Sequence, residues 1–535
     1  IHLDIQLAHG GAMLDERIHK LRGVNASEGE SISSSAWFSQ RKRPLLSPYG
    51  VGTIDQALFA TLHVKHHFVR LWGLANRVVV LDEIHAYDTY TSGLIEALLR
   101  WLKAMNCSVV LMSATLPAKR RAAFLQAWGA DAGSETPYPR LLLADSQGVR
   151  GEHIPCRSLV PIAVASIPED MEALAAAALD GLSGGGCGVV IVNTVRRAQE
   201  LYSILVSQLQ DDSEILLFHA RYPADERSER EKRVLRKFGR GDNVQRPVRA
   251  LLIATQVVEQ SLDIDFDFMI TDLAPVDLLL QRAGRLHRHQ RQRPEAHVKP
   301  RLIVAGFQRE HLPELKKTAW GYVYDPYVLY RTWAIAGIEP IWHLPEDIDR
   351  LVQAVYANGP FEAAEREEYL KTLDQALGKH LALVQEQRKL AMNVALDAEA
   401  ELSNAYGKPR ANEEGEGEGL QVVTRLGEAS LTVVPVLASE DGWRLFANEK
   451  PFDPNAEPDH VLAQRIFRRQ LRVSRKDLVK GMLDQATYKS FESHPLLRNM
   501  RPLVLKDGVA DFARLRVRLH PELGMTFENI TEEDS

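Results

Sequence analysis

The chain has 535 residues, 45% of them hydrophobic and 25% charged, with a net charge of −6. That length accommodates two or three domains with separate cores, and that charge excludes a globally basic nucleic-acid binder, so any basic surface has to be local. The scattered cysteines Cys107, Cys156 and Cys187 exclude a disulfide framework and fit a reducing, cytoplasmic setting, and no apolar run reaches the length of a membrane span.

Residue 1 is Ile rather than Met, already inside the half-apolar segment "IHLDIQLAHG", which reads as part of something longer. Residues 1–145 then alternate strand-like and helical stretches. "RVVVLDE" (77–83) and "SVVLMSAT" (108–115) bracket the amphipathic "YTSGLIEALLRWLKAM", a strand–helix–strand order that implies a parallel sheet. A Pro-containing stretch near 140–160 reads as a linker. A second α/β lobe follows over 155–335, with strands expected at "CGVVIVNT", "EILLFHA", "VRALLIATQ" and "FDFMITDLA". Over 340–411, Ile348, Leu351, Val352 and Val355, then Leu370, Leu373, Leu377, Leu381 and Val384, recur at helical spacing and predict a helical linker with a packed face. "NEEGEGEG" (412–419) is too polar to fold. Beyond it, "LQVVTRL", "LTVVPVL" and "ARLRVRL", with a turn at Asp507-Gly508, predict a small domain with β-strands over 420–535.

"VVVLDEIHAYD" (78–88) runs a buried-strand pattern straight into Asp82 and Glu83. Ligands of open parallel sheets sit at the carboxyl ends of strands, where acids hold Mg²⁺ and activate water, as NTP hydrolysis requires. A lone strand-end acid would more often cap the next helix. This pair has company: Ser113-Ala114-Thr115 ends the next strand, and "QRAGRLHR" (281–288) follows the last clear strand of the second lobe. Arg285 and Arg288, placed on one helical face, have the reach of arginine fingers for a γ-phosphate, against the plainer reading of a solvated basic face.

Together these stretches resemble the motifs of superfamily 2 helicases: "DEIH" motif II, "SAT" motif III, "ATQVVEQSLDID" motif V and "QRAGRLHR" motif VI. With "GVGTIDQAL", "LMSATLP" and "YVYDPYVLYRTW", the chain resembles the helicase–nuclease of type I CRISPR systems, strongly over residues 1–350 and weakly beyond. The resemblance implies two RecA-like parallel-sheet lobes, the first incomplete, a helical linker and a small strand-containing C-terminal domain. It implies an ATP-dependent single-stranded DNA translocase, recruited to DNA opened by the Cascade surveillance complex. It further implies that Asp82 and Glu83 serve ATP and Mg²⁺, with His85, Ser113 and Thr115 coupling the nucleotide site to the second lobe. Arg285 and Arg288 would meet the γ-phosphate, with Gln281, Gly284 and Asp263 also at the nucleotide. Thr53, Thr194, Arg221 and Thr255 fall where these motors touch the strand backbone, a contact that positions without reading sequence.

Two expected parts are absent from the sequence. No G-x-x-x-x-G-K-[ST] occurs, and "SGGGCG" (183–188) precedes a strand and lacks the lysine, so it reads as a helix-to-strand turn. No His is followed directly by Asp, as the family's nuclease cluster would require. The expectation is a fragment, or a downstream half completed by an upstream chain that carries the phosphate loop and the nuclease.

Other clusters read more plainly. "RQRPEAHVKPR" and "QRIFRRQLRVSRK" (464–476) are basic enough for DNA or Cascade contact, but a solvated face suits them equally. Arg514, Arg516 and Arg518 alternate with Leu515, Val517 and Leu519 as on an exposed sheet face. His63, His66 and His67 lack a carboxylate or cysteine partner for a metal. Against the motor reading stand another superfamily 2 DNA or RNA helicase, and a non-catalytic part that only binds DNA or Cascade.

Overall fold

The computed structural model describes residues 5–8, 44–64, 67–84, 88–131, 135–209, 213–241, 245–259, 262–359, 361, 366–399, 424 and 430–530. The chain divides into two compact units, Ile1–Arg157 with Asp374–Gly427, and Ser158–Leu373 with Glu428–Ser535.

In the first unit the expected strand–helix–strand is present as β1 (Val78–Leu81), α1 (Thr89–Ala104) and β2 (Ser108–Leu111). The strands pair in parallel, with Val80 opposite Val110. Asp88 starts α1 by accepting the Thr91 N–H at 2.7 Å, satisfying one of the helix's orphan donors. Leu94, Leu98 and Leu102, four residues apart on one stripe, pack with Leu58, Leu62, Ile84 and Phe124. One sheet face, Val79 and Leu81, joins that core. The other does not: Val78 is 69% exposed, Val80 56%, Val110 43% and Met112 44%. A parallel sheet is normally covered on both sides, so among the described residues this one is half-finished.

The stretch read as a linker is instead an antiparallel hairpin, β3 (Arg140–Asp145) and β4 (Gly148–His153). Asp145 closes its turn, accepting the Gln147 N–H at 2.8 Å and pairing with Arg150 at 2.5 Å. That local carboxylate chemistry was masked by the surrounding prolines. The helical expectation over 340–411 is met by two helices, but the continuous packed face is not. Leu351, Val352 and Val355 are buried in the helix Glu346–Val355, but the 28-residue helix Glu367–Val394 is packed only near its ends, at Leu373 and Ala376 and at Ala391 and Val394. Leu381, at its middle, is exposed. Leu396 N–H donates to Thr61 O at 2.7 Å just beyond this helix, which ties its far end into the first unit.

The second unit holds a seven-stranded sheet. Its strands are β5 (Ile162–Ile167), β6 (Gly186–Ile191), β7 (Glu214–Phe218), β8 (Arg249–Ala254), β9 (Phe268–Asp272), β10 (Arg301–Ala305) and β11 (Ile341–Trp342). The order is β11-β5-β10-β9-β6-β8-β7, parallel throughout except β11. The four strands expected from sequence are all here. β6 and β9 are buried at every position, as befits inner strands covered on both faces. "SGGGCG" is the turn expected: α2 (Met171–Ser183) ends there, and Gly185 and Gly186 take φ of +75° and +86°, a backbone open to glycine. A side chain at Gly188 would strike the Phe268 ring.

The C-terminal strands form their own seven-stranded sheet, including Leu431–Ser439, Met500–Lys506, Val509–Phe512, Leu515–His520 and Gly524–Asn529. Asp507 (φ +50°) and Gly508 (φ +79°) make the predicted tight turn. "LQVVTRL", apart from Thr424, and "NEEGEGEG" lie outside the described residues. Leu515 and Val517 face the core, while Arg516 pairs with Asp511 and Arg518 with Glu528 on the other side. One turn of this sheet docks on the second lobe with its carbonyls taken by four side chains. Arg230 donates to Pro521 O (2.7 Å), Tyr222 to Glu522 O (2.5 Å), and Gln199 to Leu523 O and Met525 O (2.7 and 3.0 Å). His219 Nδ1 accepts the Arg221 N–H, so its Nε2 is the donor to Leu523 O at 3.1 Å.

Candidate functional site

Asp82 and Glu83 directly follow β1, at its carboxyl end, and both are exposed. Asp82 Oδ1 accepts the Glu83 N–H at 2.9 Å. Glu83 has φ +54°, in the left-handed region that a residue with a Cβ enters at a cost of roughly 1–2 kcal/mol. Strain of this kind persists where the surroundings hold it, here by Ile84 N–H donating to Met112 O at 3.2 Å across the strand ends. Ser113 and Thr115 sit beside the pair after β2. Ser113 Oγ accepts the Thr115 N–H at 3.3 Å. Thr115 is buried, and its hydroxyl has no partner among the described residues, an uncompensated donor that calls for one. His85 lies outside the described residues. Two exposed carboxylates offer the hard oxygen donors that Mg²⁺ takes together with phosphate oxygens and water. Among the described residues no three His, Cys, Asp or Glu form a self-sufficient metal cage.

In the second unit, α4 (Val276–Ala283) ends at Gly284, and His287 takes φ +50°. Arg285 and Arg288 therefore lie on a turned segment past the helix, not on a helical face. They have different partners. Arg285 donates to the carbonyls of Leu262 and, at 2.8 Å, Glu259, bracing the loop before Asp263. Arg288 Nε donates to Asp263 Oδ1 at 2.7 Å, and its Nη groups have no partner among the described residues. Hydrogen bonds from His289 and then Arg288 hold the Asp263 carboxyl below its usual range. Gln281 is half-buried, and its Nε2 lacks a partner among the described residues.

The expected strand-contact residues divide. Thr53 is exposed before the helix Ile54–Leu58, and its hydroxyl makes no cap bond. Thr194 is the N-cap of α3 (Val195–Gln208), accepting the Arg197 N–H at 3.3 Å. Thr255 is buried. Arg221 is placed otherwise than expected: its guanidinium lies 4.6 Å from the Phe527 ring centroid, packed under the C-terminal sheet. Burial, and then Arg475, lower its pKa to about 10.

Sequence reasoning missed the buried charges beneath the site. Arg282 is fully buried, pairing with Glu259 at 2.6 Å and donating to Thr271 Oγ1 and to Asp272 O. Arg197 grips the buried Asp272 at 2.8 and 3.0 Å. The basic run after residue 288 is no solvated face: Arg291 and Arg293, with Arg246, enclose Asp265 and Asp267. Arg469, from the second basic stretch, is buried between Asp225 and Glu226. The only warning was the matching number of acids in "SLDIDFDF". His63 and His67 are buried, and His66 lies outside the described residues.

Two family models match. One is the C-terminal model of the CRISPR-associated nuclease/helicase Cas3, over residues 184–291, and the other is the Cas3 C-terminal domain, over 425–525. A CRISPR-associated endonuclease/helicase Cas3 of Thermus thermophilus is 40% identical over 98% of this chain and 62% of that protein. Its counterpart in Streptococcus thermophilus is 33% identical over 88% and 52%. The chain thus spans about half to three-fifths of the length of these relatives. Among solved structures, a CRISPR-associated protein matches with TM-score 0.81 at 38% identity, covering 93% of this chain and 56% of that one. T. fusca Cas3 with AMPPNP matches at 0.79 and 30%, covering 92% and 58%. A chain of a pre-nicking CRISPR RNA-guided surveillance complex matches at 0.73 and 29%, covering 91% and 61%.

A parallel-sheet lobe with strand-end acids, and a second lobe with arginines past its motif helix, define a helicase-type α/β protein. The chain is similar to the Cas3 nuclease/helicases and resembles the helicase portion of the type I CRISPR helicase–nucleases.

Proposed function

We propose that this chain is the motor part of a complete protein that moves along single-stranded DNA at the expense of ATP, in the cytoplasm, on DNA opened by Cascade. The observation that carries the reading is Asp82-Glu83 at a strand end, with Glu83 held in a left-handed backbone. Bound ATP with Mg²⁺ would supply the phosphoryl group and its counter-charge. Asp82 would hold the metal through water and Glu83 would orient the attacking water, while Thr115 has a spare hydroxyl for coupling. On the second lobe, Arg288 meets the terminal phosphate, Asp263 the ribose, and Gln281 and Gly284 the remainder of the nucleotide. Arg285 joins Arg288 only by exchanging its loop carbonyls for phosphate. Thr53, Thr194 and Thr255 would each touch the backbone of the DNA strand.

The bare sheet face at Val78, Val80, Val110 and Met112 supports a second element of the proposal. Polypeptide carrying the phosphate loop and the nuclease cluster covers that face in the complete protein. The test is phosphate release by the complete protein with single-stranded DNA. Asp82→Ala and Glu83→Gln should each lower it about 10²–10³-fold while DNA binding persists. Near-normal turnover in both variants would reduce the acids to helix-capping groups. This chain alone should release no phosphate above background.

A further inference from the structure

The second-lobe residues offered to the nucleotide hang from a line of ion pairs and hydrogen bonds that begins in the core. Asp265, with no exposed side chain, pairs with Arg291 Nε at 2.9 Å and accepts the His289 backbone N–H at 3.2 Å. Arg291 Nη2 donates to His289 Nδ1 at 2.8 Å. A guanidinium has no acceptor, so Nδ1 carries the lone pair and the ring proton sits on Nε2. That Nε2 donates to Asp263 Oδ1 at 2.9 Å, and Arg288 Nε donates to the same oxygen at 2.7 Å. Exposure rises along the line, from 9% at His289 to 48% at Asp263 and 45% at Arg288.

The outer pair alone would be weak, because half-exposed ion pairs are worth little and their side chains wander. Anchoring Asp263 through a buried imidazole removes that freedom. It leaves Asp263 Oδ2 and both Nη groups of Arg288 without partners among the described residues, ready for a hydroxyl and an anion.

We propose that His289 is a positioning residue: by fixing Asp263 it sets both the ribose contact and the phosphate reach of Arg288. This rests on the reading of Asp263 and Arg288 as nucleotide contacts.

The test is DNA-stimulated ATP turnover of the complete protein, with KM for ATP and kcat determined separately. His289→Asn keeps an acceptor for Arg291 but falls short of Asp263, and should raise KM about 10-fold while melting with the parent. His289→Gln reaches Asp263 with an N–H and should restore most of the loss. Asp263→Ala should raise KM at least as much, and adding His289→Asn to it should have no further effect. If Asp263→Ala leaves KM and kcat unchanged, the nucleotide reading of the pair fails, and this proposal with it. If Asp263→Ala raises KM but His289→Asn multiplies the defect in that background, Asp263 remains a contact and the positioning role is overturned. An unchanged KM in His289→Asn also overturns it.

Discussion

Strand β9 of the second unit is buried at all five positions, whereas β1 of the first alternates exposed and buried valines. Both are parallel strands that open on apolar residues, Phe268 to Ile270 in β9 and Val78 to Leu81 in β1, so the apolar run alone does not separate them. The difference is what lies against them. β9 has helices, flanking strands and the Arg197–Asp272 and Arg282–Glu259 pairs around it, while among the described residues β1 has the α1 core on one side only. A run such as "RVVVL" therefore reports the cover a strand was selected for, which is not always the cover that the same chain provides.

The largest expected effect probes that contrast. Ile270→Asp, on β9, buries an uncompensated charge and should cost about 4 kcal/mol or more, seen as loss of the folded second lobe. Val80→Asp in this chain should change stability by no more than about 0.5 kcal/mol, because its side chain already meets water. The same substitution in the complete protein should be severely destabilising if the face is covered there. Equal effects in the two settings would remove the contrast.

Next in size is a contrast between arginines three residues apart. Arg288→Ala should lower ATP turnover of the complete protein about 10²-fold or more with little change in melting temperature, since only its Nε is engaged. Arg285→Ala should lower the melting temperature as well, because two carbonyls of the motif V loop lose their donor. The reverse pattern would exchange their roles.

The most gradual effect is on docking of the C-terminal sheet. Burial first, and then Arg221, push the His219 pKa from 6.5 down to about 3. Below 6.5 the unfolded chain takes up a proton that the docked histidine refuses, so this contribution is intact above that pH and is lost as pH falls toward 3. The limit is about 1.4 kcal/mol per pH unit. Thermal melts across that window should show the decline, and His219→Gln should flatten it.

The strands and the motif acids were legible because their signals are local: β-branched runs, a strand running into "DE", and an Asp-Gly turn. Four strands of the second lobe and α1 appear where the sequence places them. The charged interior was not legible. Nothing in the spacing of Arg282 or Arg291 tells a buried strut from a surface charge, because their partners, Glu259 and Asp265, are 23 and 26 residues away and meet them only once the sheet has formed. For the same reason the surroundings of Arg221, expected at the DNA backbone, were not legible: sequence gives its charge but not the Phe527 ring beside it. The hairpin at 140–153 was hidden differently, by prolines flanking a turn that Asp145 closes locally.

Glu83 carries one more consequence. Its left-handed backbone suits glycine, so Glu83→Gly should relax the turn and raise stability by about 0.5–1 kcal/mol while removing the carboxylate on which the proposed hydrolysis depends. Heat resistance and work output thus oppose each other at a single position. A campaign that selected this protein only for survival at high temperature would be drawn toward glycine there, and would recover a durable molecule with a stalled engine.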